Sequence, residues 1–362
     1  MPIRSLTLWP TAACDLDCLY CYRGIRRGVM SEETALAAVE LAAASGDPFH
    51  IQFAGGEPLL RPELIDLVCR HVAENGLPAR VDVQTNATRI DPETVRLLRR
   101  HRIGVGVSVD GPPDVQESLR GRARQTFAGL DLLAEHSVPV RVTTVVTSAN
   151  VLRLGETALM LAGYPNIRGL ALDLLTPLGA ASLRPDLTAS ESELVCGLRS
   201  LHSVVTRLTR MRCAPFVWRE LETVRRSLRL ASENAVPVRI SSRPERGSPS
   251  SRPLASVGAY CHASLGESVA VAPDGTVYPC SQAVGDPKRA AGTIHDVDWP
   301  CLRSQFRATP LRGPCHRCPL DGRCPGDCPS RMESTRKPGS SESADLACVL
   351  HRTLAESERT RS

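Results

Sequence analysis

The chain has 362 residues, enough for one large domain and a smaller one, each with its own core. Its 42% hydrophobic and 23% charged residues are ordinary for a globular protein; no apolar run approaches the roughly 18 residues of a membrane span, and no basic-then-apolar stretch marks the N-terminus for export. The net charge of +5, from 44 Lys+Arg against 39 Asp+Glu, is diffuse, and the 4% aromatic content argues against a base-stacking surface, so neither nucleic acid nor membrane is expected as a partner and the expected location is cytoplasmic.

To about residue 180, strand-like and helix-like stretches alternate. Ser5–Trp9, His50–Phe53, Arg80–Gln84, Gly104–Asp110, Val138–Val146 and Gly169–Leu175 are short, apolar and often β-branched, as strands buried on both faces are. Between them Ser31 caps a helix with Glu32 and Glu33 in its first turn, Pro62 opens one ending before Gly76, and Pro92–Arg100 and Phe127–Glu135 supply two more. Six such units predict a parallel α/β sheet with right-handed crossovers, an open partial (β/α)6 TIM-like barrel over 1–182, whose functional groups sit on loops after the strands.

Residues 183–255 read as a helical connection with Leu194, Leu198, Leu201 and Val205 on one face, then a Ser/Pro/Arg-rich linker from Ile240 to Pro253. Over 256–350 the pattern changes to short strands, Ser268–Ala272 and Thr276–Tyr278, around a Pro273–Gly275 turn, followed by a dense run of cysteines. Residues 351–362 read as a charged tail, and the last fifteen residues are expected to fray.

Fourteen cysteines without an export signal point to metal rather than disulfides. Cys14, Cys18 and Cys21 form a C-x3-C-x2-C loop after the first strand. Three thiolates can hold three irons of a cubane cluster and leave the fourth open, whereas four cysteines are usual. A partial zinc site is the alternative. Four further segments end successive strands: Gly55-Gly56-Glu57-Pro58, Gln84-Thr85-Asn86, Val107-Ser108-Val109-Asp110-Gly111 and Leu119-Arg120-Gly121.

In that order these motifs resemble the radical S-adenosylmethionine superfamily. The resemblance implies a [4Fe–4S] cluster on Cys14, Cys18 and Cys21. S-adenosylmethionine would bind the open iron and be cleaved to a 5′-deoxyadenosyl radical. It further implies Tyr20 near the adenine, Gly55, Gly56 and Glu57 at the methionyl ammonium, Asn86 and Ser108 among the cofactor contacts, and Arg120 pairing with the carboxylate.

Cys261, Cys280, Cys315, Cys318, Cys324, Cys328 and Cys348 are similar to the seven-cysteine SPASM extension, a small cysteine-rich domain with a β-hairpin and short helices. That resemblance implies two auxiliary [4Fe–4S] clusters, a distal one on Cys315, Cys318, Cys324 and Cys348 and a nearer one on Cys261, Cys280 and Cys328. A zinc ribbon is the alternative. The nearer cluster lacks a fourth cysteine; Glu267 stands six residues after Cys261, Cys301 is a reserve, and an open site is the third possibility. Cys69, Cys196 and Cys213 lie on helical patterns and read as packed small hydrophobes.

The resemblance implies an oxidoreductase that oxidises or cross-links side chains of a ribosomally made peptide or protein, fed by an electron donor such as flavodoxin or ferredoxin. Sulfatase maturation, which forms formylglycine, is the alternative. It expects an aspartate base after Cys280, where Ser281 stands; Asp274 and Asp286 are substitutes. A non-catalytic iron–sulfur sensor or scaffold is the alternative of another class. The barrel begins almost at Met1, so a partner protein or the cysteine-rich region is expected to receive the substrate.

Overall fold

Short β-branched runs and amphipathic helices alternate along the first half of the chain and pair in that order. The computed structural model describes residues 2–211, 216–232, 260–306, 320, 324, 326–335 and 345–359. Strands and helices follow as β1 (Ser5–Leu8), α1 (Glu32–Ala43), β2 (Phe49–Phe53), α2 (Pro62–Glu74), β3 (Ala79–Thr85), α3 (Pro92–Arg100), β4 (Gly104–Ser108), α4 (Pro113–Arg120), α5 (Ala123–Glu135), β5 (Val140–Val146), α6 (Leu154–Ala162) and β6 (Ile167–Leu174). β1 to β6 pair in parallel, each with the next.

The helix starts follow the expected chemistry. Ser31 accepts from the Thr34 amide at 3.0 Å, and Asp91 accepts from the Thr94 amide at 2.7 Å before Pro92. After β4 there are two helices where one was expected, broken where Gly121 and Arg122 take positive φ. Arg120 is therefore the last residue of α4.

β1 is buried on both faces, whereas β2 to β5 are buried mainly on one. Phe49, Ile51, Phe53, Val83, Val105 and Val107 pack with Val39, Leu64, Leu98 and Leu130 of the helices. The other face carries half-buried His50, Gln52, Asp82, Gln84 and Ser108, with His50 and Asp82 2.8 Å apart. Gly104 and Gly106 make room there, since a Cβ would meet the Asp82 and Gln84 side chains at 2.0 and 2.3 Å. An open barrel leaves its concave side polar and accessible.

The sheet extends beyond six strands on both edges. β7 (Val217–Trp218) joins β6 in parallel, between α7 (Glu191–Met211) and α8 (Arg219–Ser232). At the other edge, beyond α9 (His262–Leu265), β8 (Ser268–Val271) lies parallel to β1 and antiparallel to β9 (Val277–Tyr278). The cysteine-rich hairpin is thus continuous with the barrel, in the order β7-β6-β5-β4-β3-β2-β1-β8-β9. The helical face expected at Leu194, Leu198, Leu201 and Val205 is buried on α7.

The C-terminal end corrects the expectation of a frayed tail. After α10 (Trp299–Ser304) and α11 (Pro329–Ser334), residues Leu346–Arg359 form α12, which packs on α7 and α8. Ala347, Leu350, Leu354 and Ala355 are buried, Glu358 accepts from Arg225 at 2.7 Å, and His202 Nε2 lies 2.7 Å from its other oxygen. The charge count hid an apolar stripe at i, i+3, i+7 and i+8 from Ala347. Cys69 is buried, but Cys196 is exposed because it lies off the buried stripe of α7; Cys213 and the Ile240–Pro253 linker lie outside the described residues.

Candidate active site

The loop after β1 carries the three cysteines and is pinned at both ends. Thr11 Oγ1 donates to Gly28 O and accepts from the Ala13 amide, both at 3.0 Å. The β2 loop comes up against it: Gly56 N donates to Thr11 O at 3.0 Å and Glu57 N to Ala13 O at 2.9 Å. A Cβ on Gly56 would stand 1.8 Å from Ala13 O, and one on Gly55, at φ +106°, 2.7 Å from the Trp9 ring. Only glycine permits this approach.

Each sulfur has its own support. Cys14 Sγ accepts from the Leu16 amide at 3.4 Å, with Asn86 Nδ2 at 3.8 Å. Cys21 Sγ accepts from Arg23 Nε at 3.1 Å. Burial pushes the Cys18 thiol up to about 11, against the positive charge of Arg120, and also raises Cys14. Among the described residues no three His, Cys, Asp or Glu side chains converge closely enough to hold a single ion. The set fits an iron–sulfur cluster held by three thiolates: soft donors, N–H groups aimed at sulfur, and a buried guanidinium at Arg23 with no carboxylate within ion-pair distance among the described residues.

Glu57 is turned inward rather than presented to a ligand. Its carboxylate accepts from Thr85 Oγ1 at 2.6 Å, Asn86 N at 2.8 Å and Leu59 N at 3.1 Å, tying the ends of β2 and β3 together. Burial nevertheless pushes it up to about 7. Asn86 donates to Asp15 at 2.9 Å, as do Thr88 and Arg89. These hydrogen bonds, led by Thr88, outweigh burial and hold Asp15 below the usual carboxylate range.

Tyr20, Asp110 and Arg120 form a buried triad. The Tyr20 hydroxyl donates to Asp110 and accepts from Arg120 Nη1 at 2.6 Å, and Arg120 lies 3.7 Å from Asp110. The Tyr20 ring packs on Val115, Leu119, Ala181 and Leu187. Arg120 Nε is buried without a hydrogen-bond partner among the described residues. Ser108 Oγ accepts from Gln84 Nε2 at 2.9 Å. Asp110, Asp15 and Arg23 carried no role in the sequence reading; the acids stood inside quoted motifs, and the arginine's signal was only its place two residues after Cys21.

The two cysteine regions meet. Tyr22 OH and Ser281 Oγ are 3.0 Å apart, and Trp9 Nε1 donates to the same Ser281 oxygen at 3.0 Å. A Cβ on Gly24 would stand 3.0 Å from Val284 O. Cys280 lies within electrostatic reach of Cys261 and Cys328, and burial raises Cys280 to about 11 and Cys328 to about 12. A cavity of about 320 Å³ opens at this junction, between Tyr22 and Gly179 on the barrel side and Gln282, Asp286, Arg289 and Glu333 on the other. Asp286 lines it; Asp274 sits in the hairpin turn, where it accepts from the Thr276 amide. The Glu267 carboxylate lies 3.3 Å from His262, and Cys301 Sγ accepts from Gln305 at 3.4 Å. Cys324 Sγ lies 3.6 Å from His351 Nδ1 and Cys348 is on α12; Cys315 and Cys318 lie outside the described residues.

Residues 10–158 match the model of the Radical SAM superfamily. An uncharacterised protein of Methanocaldococcus jannaschii is 31% identical over 48% of this chain and 64% of its own length. The AdoMet-dependent heme synthase of Methanosarcina barkeri is 31% identical over 41% and 44%, and the cysteine-type anaerobic sulfatase-maturating enzyme of Clostridium perfringens 31% over 41% and 45%. The chain thus spans less than two thirds of these relatives. Among solved structures, native anSMEcpe with bound AdoMet superposes at a TM-score of 0.76 with 20% identity, covering 99% of this chain and 97% of that one. SuiB of Streptococcus suis, bound to the precursor peptide SuiA, gives 0.63 with 17% identity over 91% and 72%. The fold is shared with both.

Proposed function

Because residues 10–158 form a radical SAM domain, we propose that this protein is a radical SAM peptide- or protein-modifying maturase that oxidises or cross-links side chains. A [4Fe–4S] cluster on Cys14, Cys18 and Cys21, with S-adenosylmethionine on its open iron, supplies a hydrogen-abstracting 5′-deoxyadenosyl radical when bound. Gly55 and Gly56 let the β2 loop close on the cysteine loop, and Glu57 and Asp15 fix the ends of β2 and β3 around it. The observation that carries the reading is the cavity whose wall carries Tyr22, the residue after Cys21, and Gln282, two residues after Cys280, beside the Tyr22–Ser281 hydrogen bond. A substrate there would contact residues that flank both cysteine regions. Peptide handling is supported by the sulfatase-maturating relative and by SuiB, whose structure holds the precursor peptide SuiA.

Two auxiliary [4Fe–4S] clusters belong to the same proposal, the nearer on Cys261, Cys280 and Cys328 and the distal on Cys315, Cys318, Cys324 and Cys348. Held by those cysteines, such clusters would supply an acceptor for the electron left on the substrate, with a flavodoxin- or ferredoxin-type protein as the external electron partner. Iron counts on the anaerobic protein test this: about twelve supports three clusters and about four contradicts them. The substrate class is tested by incubating the reduced holoenzyme with S-adenosylmethionine and synthetic peptides bearing Cys or Ser, followed by mass spectrometry. A mass change confined to one side chain supports the maturase reading, and none across the set contradicts it.

Sulfatase maturation is the second reading, favoured by Asp286 on the cavity wall, which supplies a carboxylate although Ser281 stands after Cys280. Formylglycine in a Cys or Ser peptide, lost with Asp286→Asn, would establish it.

A further inference from the structure

Buried Arg331 bonds Asp327, and Arg120, with 11% of its side chain exposed, faces Asp110. Arg23 is different. It is 7% exposed, and among the described residues no carboxylate lies within ion-pair distance. Its Nε donates to Cys21 Sγ at 3.1 Å and its Nη1 to the Ala12 carbonyl, which closes the start of the cysteine loop onto its end. The charges that act on it are those of Cys21, Cys14 and Cys18. A guanidinium taken out of water needs a counter-charge, and among the described residues the three cysteine sulfurs stand where thiolates holding a cluster would supply it.

We propose that Arg23 sets the reduction potential of the cluster on Cys14, Cys18 and Cys21, through its hydrogen bond to the Cys21 sulfur and its uncompensated positive charge. This rests on the cluster reading above. Reduction adds one electron and one negative charge to a site already carrying three thiolates. A fixed cation against one of those sulfurs favours the reduced state, and an N–H donor to sulfur acts in the same direction. Arg23 is a positioning residue: it touches a ligand of the cluster, not the substrate.

The test is an anaerobic redox titration of the full-length holoenzyme followed by electron paramagnetic resonance. The signal that changes on adding S-adenosylmethionine distinguishes this cluster from the others. Arg23→Gln keeps an N–H near sulfur but removes the charge, and its reduction equilibrium should fall by about tenfold, a shift of about 59 mV to more negative potential for one electron. Arg23→Lys keeps the charge and loses the Nε–H geometry, and should shift less in the same direction. Iron content and melting temperature are measured for both. If Arg23→Gln fails to assemble, Arg23→Lys decides alone. An unchanged potential in an iron-replete variant overturns the proposal. A wild-type protein with no signal responsive to S-adenosylmethionine would instead overturn the cluster reading, and the role of Arg23 with it.

Discussion

Tyr22 and Ser281 share a hydrogen bond of 3.0 Å, one residue after Cys21 and one residue after Cys280. Some 259 residues of chain separate them. Ser281 Oγ also accepts from Trp9 Nε1, so one serine oxygen ties the end of β1 to the residue after Cys21. This contact joins the two cysteine regions beside the cavity and fixes the orientation of a phenol on its wall.

Removing the shared hydroxyl separates its two roles. Ser281→Ala leaves the Trp9 N–H buried without an acceptor and should cost about 1–3 kcal/mol of stability. Tyr22→Phe keeps the Trp9–Ser281 bond and should cost about 1 kcal/mol or less. Urea unfolding under anaerobic conditions compares them; equal losses would contradict this division.

The Gly56 contact predicts a failure of assembly. With a Cβ 1.8 Å from Ala13 O, Gly56→Ala must push the β2 loop off the cysteine loop. A loss above about 3 kcal/mol is expected, together with loss of iron from the first site. Retention of wild-type iron content would show that the approach of the two loops is dispensable.

Glu57 should make stability fall with pH. Its carboxyl is raised from 4.5 to about 7 in the folded state by burial. Between those values the folded state holds more proton than the unfolded chain, so stability is full below about 4.5, declines as pH rises to about 7 and is level above, a drop of roughly 3 kcal/mol. The cluster-free protein is compared with Glu57→Gln, which cannot titrate, by urea unfolding at several pH values. A gap between the two proteins that does not change with pH would contradict the shift.

The two candidate carboxylates should behave differently. Asp286→Asn, on the cavity wall, should lower turnover on any accepted peptide at least tenfold. Asp274→Asn alters an exposed hairpin turn outside the cavity lining and should leave turnover within about twofold, since surface substitutions away from a site act weakly. Steady-state rates decide, and a reversed order would move the working carboxylate to the turn.

The C-terminal helix gives a stability test away from the chemistry. Leu354 is fully buried on α12, so Leu354→Ala should cost about 2–5 kcal/mol. A frayed end would make the change silent in a denaturation curve.

Much of this was legible in residues. All six barrel strands lie within a few positions of their expected places because β-branched runs bounded by Gly, Pro and Asp leave little freedom. The loops at Gly55–Pro58, Gln84–Asn86 and Val107–Gly111 fall at strand ends, as parallel topology favours, whereas Leu119-Arg120-Gly121 ends α4. Orientation was not legible. Glu57, expected to face a ligand, is satisfied internally by Thr85, Asn86 and Leu59, and Tyr20 is committed to Asp110 and Arg120. Apart from Leu59, those partners come from elements distant in sequence, and no local pattern announces them. Arg23 was hidden for the same reason: its meaning lies in the carboxylate that is missing from its surroundings. Leu346–Arg359 was misread because charge was weighed above periodicity.

The most direct measurement is 5′-deoxyadenosine released from S-adenosylmethionine by the reduced, iron-reconstituted protein under strict anaerobiosis, in wild type and in Cys18→Ala. Release by the wild type and its loss in Cys18→Ala is the expected result. No release from an iron-replete wild type, or equal release from both, would contradict a radical-generating site at Cys14, Cys18 and Cys21.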